Sequence, residues 1–118
     1  MEYKSTIWEK YVTDTLHMID TSEETVDKET DQILLILQEE CAEVIQAISK
    51  CFRFGMGETH PNTGISNIDS LTQELGDLLA MIELLVDRNI GITDEVMREA
   101  KLKKFLKLKR WSTLTIAK

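Results

Sequence analysis

Five carboxylates in two short clusters are the residues of this chain best suited to chemistry. Glu39, Glu40 and Glu43 stand in the run Glu39-Glu40-Cys41-Ala42-Glu43, and Glu74 and Asp77 stand in Glu74-Leu75-Gly76-Asp77. On a helix, residues three or four apart share a face. Acids in an amphipathic helix ordinarily point to water, but a turn of ~100° per residue aims several of these elsewhere. Ile33, Leu37, Cys41, Val44 and Ile48 define one apolar stripe. Glu40 projects between Ala47 and Ile33 at its edge, Glu43 lies beside Ile36, and Glu39 is further round, next to Gln46. A second stripe holds Leu71, Leu75, Leu78, Ile82 and Leu85. Glu74 projects between Met81 and Leu85 and Asp77 between Leu84 and Met81, whereas Glu83 and Asp87 fall on the polar side.

Acids turned inward from two helices repel one another unless they are protonated, paired or bridged by a cation. An all-oxygen ligand set suits Mg²⁺, Mn²⁺ or Ca²⁺. The lack of a nearby His disfavours zinc and the Glu-x-x-His pattern of di-iron bundles. A solvated face or an inter-helix salt bridge would account for either motif alone. Two such motifs on successive helices, both at the apolar edge, are harder to account for that way, and a metal site stands level with those readings.

The elements that must position these acids are helical. The periodicity predicts a first helix over roughly Ile7–Ile19 and a polar connection over Asp20–Glu29. A second helix runs from Asp27 or Asp31 to Phe52, with Gly55 and Gly57 as stop signals. Phe54–Asn67 reads as a long loop, suited to a lid or to a passive connection. A third helix runs over Ile68–Arg88, entered through Ser66 or Asn67 and closed by Asn89 and Gly91. A fourth starts near Thr93, an N-cap followed by Asp94 and Glu95, and continues to about Arg110. Four amphipathic helices predict an all-α, four-helix bundle-like fold in one domain over residues 1–118. One Pro and five Gly agree with few turns.

Composition narrows the function classes. The formal charge of −7 comes from 21 acids and 14 bases, unevenly spread. Residues 101–118 hold seven bases and no acids, so residues 1–100 carry 21 acids against seven bases. A basic end on an acidic body fits a nucleic-acid tail, a membrane-surface patch or an anion clamp. No apolar run approaches the ~20 residues of a membrane span. Cys41 and Cys51, ten residues apart on one helix, stand ~15 Å apart, too far for a disulfide. Free thiols and the absence of an apolar signal core predict a cytoplasmic protein.

The paired motif resembles that of the all-α nucleoside triphosphate pyrophosphohydrolases, specifically the MazG-like group. EExxE at Glu39–Glu43 and ExxD at Glu74–Asp77 lie on consecutive helices separated by a loop. The likeness spans about Ile33 to Arg110 and includes the aliphatic run before EExxE, the ELGDLLAMI context and a Lys-rich last helix. The short form looks like the compact members of the group, including those of bacteriophages. The resemblance implies hydrolysis of a nucleoside triphosphate between its α and β phosphates, giving monophosphate and pyrophosphate. It implies Mg²⁺, with Mn²⁺ as a substitute, held by Glu39 or Glu40, Glu43, Glu74 and Asp77, of which the helical arithmetic turns Glu40, Glu43, Glu74 and Asp77 most directly inward. Glu39 or Glu40 would then orient or deprotonate the attacking water, or Glu39 would join a second metal. It also implies a homodimer or homotetramer, which agrees with long apolar faces on a short core.

The bases acquire a candidate role from that chemistry. Lys103, Lys107 and Arg110 fall within about 60° of one another around a helix and could bind the β and γ phosphates. Lys50 and Arg53 are further candidates, although a solvated helix face explains any single Lys as well. Trp8, His17, Phe52, Phe54 and Trp111 could stack on a base, with Trp8 the first choice. The competing class is a non-enzymatic helical module whose basic end binds nucleic acid. No nucleic-acid signature accompanies the basic run, and that reading leaves the inward acids unexplained.

Overall fold

Three helices account for most of residues 27–116, the part of the chain that the computed structural model describes. They are α1 (Lys28–Phe54), α2 (Asn67–Val86) and α3 (Asp94–Trp111). The all-α expectation holds, and the sole β feature among the described residues is an isolated bridge between Thr59 and Ser66. The expected first helix at 7–19 lies outside the described residues.

Each helix starts where a short polar side chain can take an orphan backbone N–H. Asp27 accepts from the Thr30 amide at 2.6 Å, Ser66 from the Asp69 amide at 3.1 Å, and Thr93 from the Val96 amide at 3.1 Å. Helix α1 stops at Gly55, whose φ of 101° an L side chain rarely adopts. After α2 the chain turns through Asn89 and Gly91, both at positive φ.

Among the described helices only α1 and α2 pack extensively along each other, and α3 contributes no buried side chain. Three contacts fix the antiparallel register of the pair. At one end Arg88 donates to Asp27 at 2.7 Å and to the Thr30 hydroxyl at 3.2 Å, with Glu29 at 3.3 Å. At the other end the Asn67 side-chain amide donates to the Gly55 carbonyl at 2.8 Å. Midway, Glu40 meets Glu74 and Asp77.

The connection between α1 and α2 is tied down by its backbone. His60 donates to Ile65 at 2.9 Å and Gly64 to His60 at 2.8 Å. Asn67 donates to Glu58 and Ile68 to Met56, both at 2.9 Å.

The inner face of α1 differs from the stripe predicted above. Thr30, Ile33, Val44, Ala47 and Cys51 are buried, with Leu37 and Glu40 half-buried between them. These positions alternate in steps of three and four, the spacing of a helix–helix seam. Cys41 is exposed and Ile48 is only partly covered. The facing seam on α2 passes through Asn67, Leu71, Glu74, Leu78, Met81 and Leu85 to Arg88. Leu75, expected on it, is exposed.

One residue further on, each helix carries a second apolar stripe: Leu34, Ile45, Ile48 and Phe52 on α1, and Ile68, Leu75 and Leu79 on α2, all exposed. A step of +1 rotates the view by ~100°. In an antiparallel pair that rotation carries both stripes to the same side. The hairpin therefore has an apolar face on one side and, on the other, an open face presenting Glu39, Glu43, Lys50, Phe54 and Asp77.

Candidate metal centre

Glu40 and Glu74 occupy seam positions, where the spacing calls for apolar side chains. Both are half-buried, and Asp77, one turn after Glu74, is exposed at the seam's open side. One carboxylate oxygen from each lies within 4.8 Å of the other two. The hydrophobic pattern alone puts Glu40 at a stripe's edge. In the structure it lies in the seam itself, because the seam runs through Thr30, Ile33 and Val44 and not through Cys41 and Ile48.

This arrangement has an electrostatic signature. The Glu40 carboxyl is raised above its ordinary 4.5, first by desolvation and then by the charges of Asp77, Glu74, Glu43 and Glu39. All four charges are negative. Among the described residues the ion pairs all belong to Arg88, at the far end of the hairpin, so the cluster is not a balanced salt bridge.

The donor set fits a hard divalent cation. Mg²⁺ takes oxygen ligands at about 2.1 Å, so ligand oxygens on opposite sides of it stand about 4 Å apart. Adjacent ligands stand about 3 Å apart, and three oxygens within 4.8 Å of one another are close enough for one such ion to draw together. Glu43 and Glu39, both exposed on the open face, do not join this trio but border it.

The basic candidates divide. Lys50 lies on the open face, two turns beyond Glu43, and lines a cleft of about 490 Å³ at the loop end of the hairpin. Arg53 stacks over the Phe54 ring, its guanidinium carbon 4.9 Å from the centroid. Lys103, Lys107 and Arg110 are exposed on α3, which packs extensively against neither α1 nor α2, and the structure does not bring them to the acids. Arg110 sits 5.0 Å over the Trp111 ring. Trp8 and His17 lie outside the described residues. Phe52 points away from the open face and is 86% exposed.

The cleft is the feature that sequence reasoning did not assemble. Besides Lys50, its wall contains Phe54 from α1, Glu58, Thr59, His60 and Pro61 from the loop, and Asn67 at the start of α2. The available signal was the loop's length, together with its Gly and Pro residues. Periodicity has nothing to say about where a loop folds back.

A family model, the MazG nucleotide pyrophosphohydrolase domain, matches residues 28–106, which take in α1, the loop, α2 and most of α3. No curated protein and no solved structure matches the chain.

Proposed function

Since the chain belongs to the MazG nucleotide pyrophosphohydrolase domain family, we propose that it cleaves (deoxy)nucleoside triphosphates between the α and β phosphates, releasing a monophosphate and pyrophosphate, with a divalent cation, Mg²⁺ or in its place Mn²⁺. The observation that carries this reading is the convergence of Glu40, Glu74 and Asp77 in the α1–α2 seam, with no ion pair to a base among the described residues.

Glu40, Glu74 and Asp77 would hold the cation, with Glu43 completing the set from the open face. A cation bound there would offset the charge of the triphosphate, polarise its phosphoryl oxygens and acidify a bound water. Phosphoryl transfer depends chiefly on positioning and charge stabilisation. Glu39, solvent-exposed beside the cluster, is suited to orient or deprotonate the attacking water. Lys50 and Arg53 lie near enough to the open face to meet a polyanion. Lys103, Lys107 and Arg110 would need α3 to approach the groove, from the same chain or from another copy.

The exposed apolar face of the hairpin supports a homodimer or homotetramer, since contiguous apolar surface on this scale marks an interface. Among the described residues no helix is long and apolar enough to cross a membrane. A cytoplasmic location is the proposal that goes with this and with the free thiols.

The deciding experiment is pyrophosphate release across the standard dNTPs and NTPs, with and without Mg²⁺. The expected result is Mg²⁺-dependent release of pyrophosphate. Orthophosphate as the sole product would overturn the assignment. Sedimentation at micromolar concentration tests the assembly, and a stable monomer would contradict it.

A further inference from the structure

We propose that the cleft at the loop end of the hairpin is a nucleobase subsite, in which Phe54 and the His60-Pro61 segment take the base between them. The proposal rests on the pyrophosphohydrolase reading for the position of the phosphates.

Two observations carry it, and the first is distance. Seven residues separate Glu43 from Lys50 on α1, and seven separate Asn67 from Glu74 on α2. Each interval is about 10 Å of helix rise and falls about 20° short of two full turns. The inner wall of the cleft, formed by Lys50 and Asn67, therefore stands on the same side of the groove as the acids. It begins about 10 Å along the groove from Glu43 and Glu74, and about 15 Å from Glu40 and Asp77. A nucleotide whose α phosphate lies at the acids can reach the cleft along the groove without leaving the open face.

The second observation is the chemistry of the walls. Phe54 offers a half-exposed ring at the end of α1, held in orientation by Arg53 against its face. A base has a flat π-face, and stacking on an aromatic ring is its least sequence-selective mode of capture. The loop that shares the cleft with Phe54 is pre-shaped. The bridge between Thr59 and Ser66 and the backbone bonds of His60 hold Pro61 at the cleft. The His60 Nδ1 accepts from the Asn62 amide at 3.1 Å, which leaves Nε2 as the ring's N–H donor. Asn67 gives one of its two side-chain N–H groups to Gly55, which leaves the other N–H to donate and the carbonyl oxygen to accept. Flat walls with donors and an acceptor between them are what a base's faces and edge require.

Two arms test this, and only one depends on catalysis. In the first, nucleoside 5′-monophosphates are titrated into isotopically labelled protein without metal, beside deoxyribose 5-phosphate, which lacks a base. The nucleotides should shift the amide resonances of residues 58–67, and the sugar phosphate should not. Equal shifts from both, or none from either, would overturn the subsite. In the second arm, Phe54→Ala and His60→Ala should each raise KM for dNTPs, the first by about tenfold, with kcat within about threefold of the parent. Phe54→Trp should restore KM. Unchanged KM in both alanine variants, in an enzyme that does release pyrophosphate, would refute the subsite and leave the activity standing. A parent protein that releases none would refute the activity instead, and the resonance shifts would still decide the cleft.

Discussion

Two acidic sites on the same pair of helices behave in opposite ways. Asp27 gives one oxygen to the Thr30 amide and the other to Arg88, and its carboxyl is held down at about 2, chiefly by the Thr30 amide and then by Arg88. Glu40, thirteen residues further along α1, is pushed up by desolvation and by four acids. At the first site Asp27 and Glu29 both pair with Arg88, and its work is to fix register. The second leaves like charges facing one another. A protein keeps such a cluster at a cost to stability, and the cost makes sense where a cation supplies the missing charge.

Substitution at the two sites should break this comparison most sharply. Glu74→Gln or Asp77→Asn should cut Mg²⁺-dependent pyrophosphate release by at least about 100-fold, the scale expected when charge stabilisation of a phosphoryl group is lost. The melting temperature without metal should hold or rise, since each variant removes a repelling charge. Arg88→Ala should do the reverse, lowering the melting temperature by several degrees and leaving the activity of the folded protein near parental. Equal loss of activity and stability at both sites would mean that the acidic cluster is merely structural.

Metal and pH sharpen the same contrast. Mg²⁺ binding only the folded state should raise the melting temperature at pH 7, and should raise it less in Glu74→Gln. A carboxyl whose folded pKa lies above its unfolded value destabilises the fold while ionised. The metal-free protein should therefore gain stability from Glu40 as pH falls toward 4.5. Asp27 has the opposite sign. Its contribution is present above 3.8 and is lost as pH falls toward 2. Thermal melts across pH 2–7 should show the acid-side loss flattened in Arg88→Ala and the gain near 4.5 missing in Glu40→Gln.

The helices and their caps were legible in the sequence because their causes are local. Asp27, Ser66 and Thr93 each satisfy an amide three residues on, and Gly55, Asn89 and Gly91 take backbone angles that end helices. The faces were legible only in part. Helix α1 has two apolar stripes about 100° apart, one through Ile33, Val44 and Cys51 and one through Leu34, Ile45 and Ile48. A sequence pattern sums them and cannot tell which one meets α2. That choice is made by contacts across the chain, Arg88 to Thr30 and Asn67 to Gly55. Once the register is known, Glu40 and Glu74 move from the edge of a stripe to its centre, which strengthens the metal reading. The cleft was illegible for the same reason, since only the folded loop brings His60 and Pro61 into one cleft with Phe54.

The smallest effects are expected at the basic end, where neither kind of site is built. Lys103 and Lys107 are exposed on α3, and an exposed ammonium is strongly hydrated and screened by salt. Lys103→Ala or Lys107→Ala alone should change kcat/KM by less than about threefold at physiological ionic strength. If these residues meet the leaving pyrophosphate, replacing both together with Arg110 should reduce kcat/KM by more than the product of the single effects, because the remaining bases otherwise compensate for one another. The deficit should also deepen as salt is lowered, since screening masks the interaction in the parent. A triple variant indistinguishable from the parent at low salt would assign α3's charge to solvation and leave Lys50 and Arg53, beside the groove, as the bases that matter.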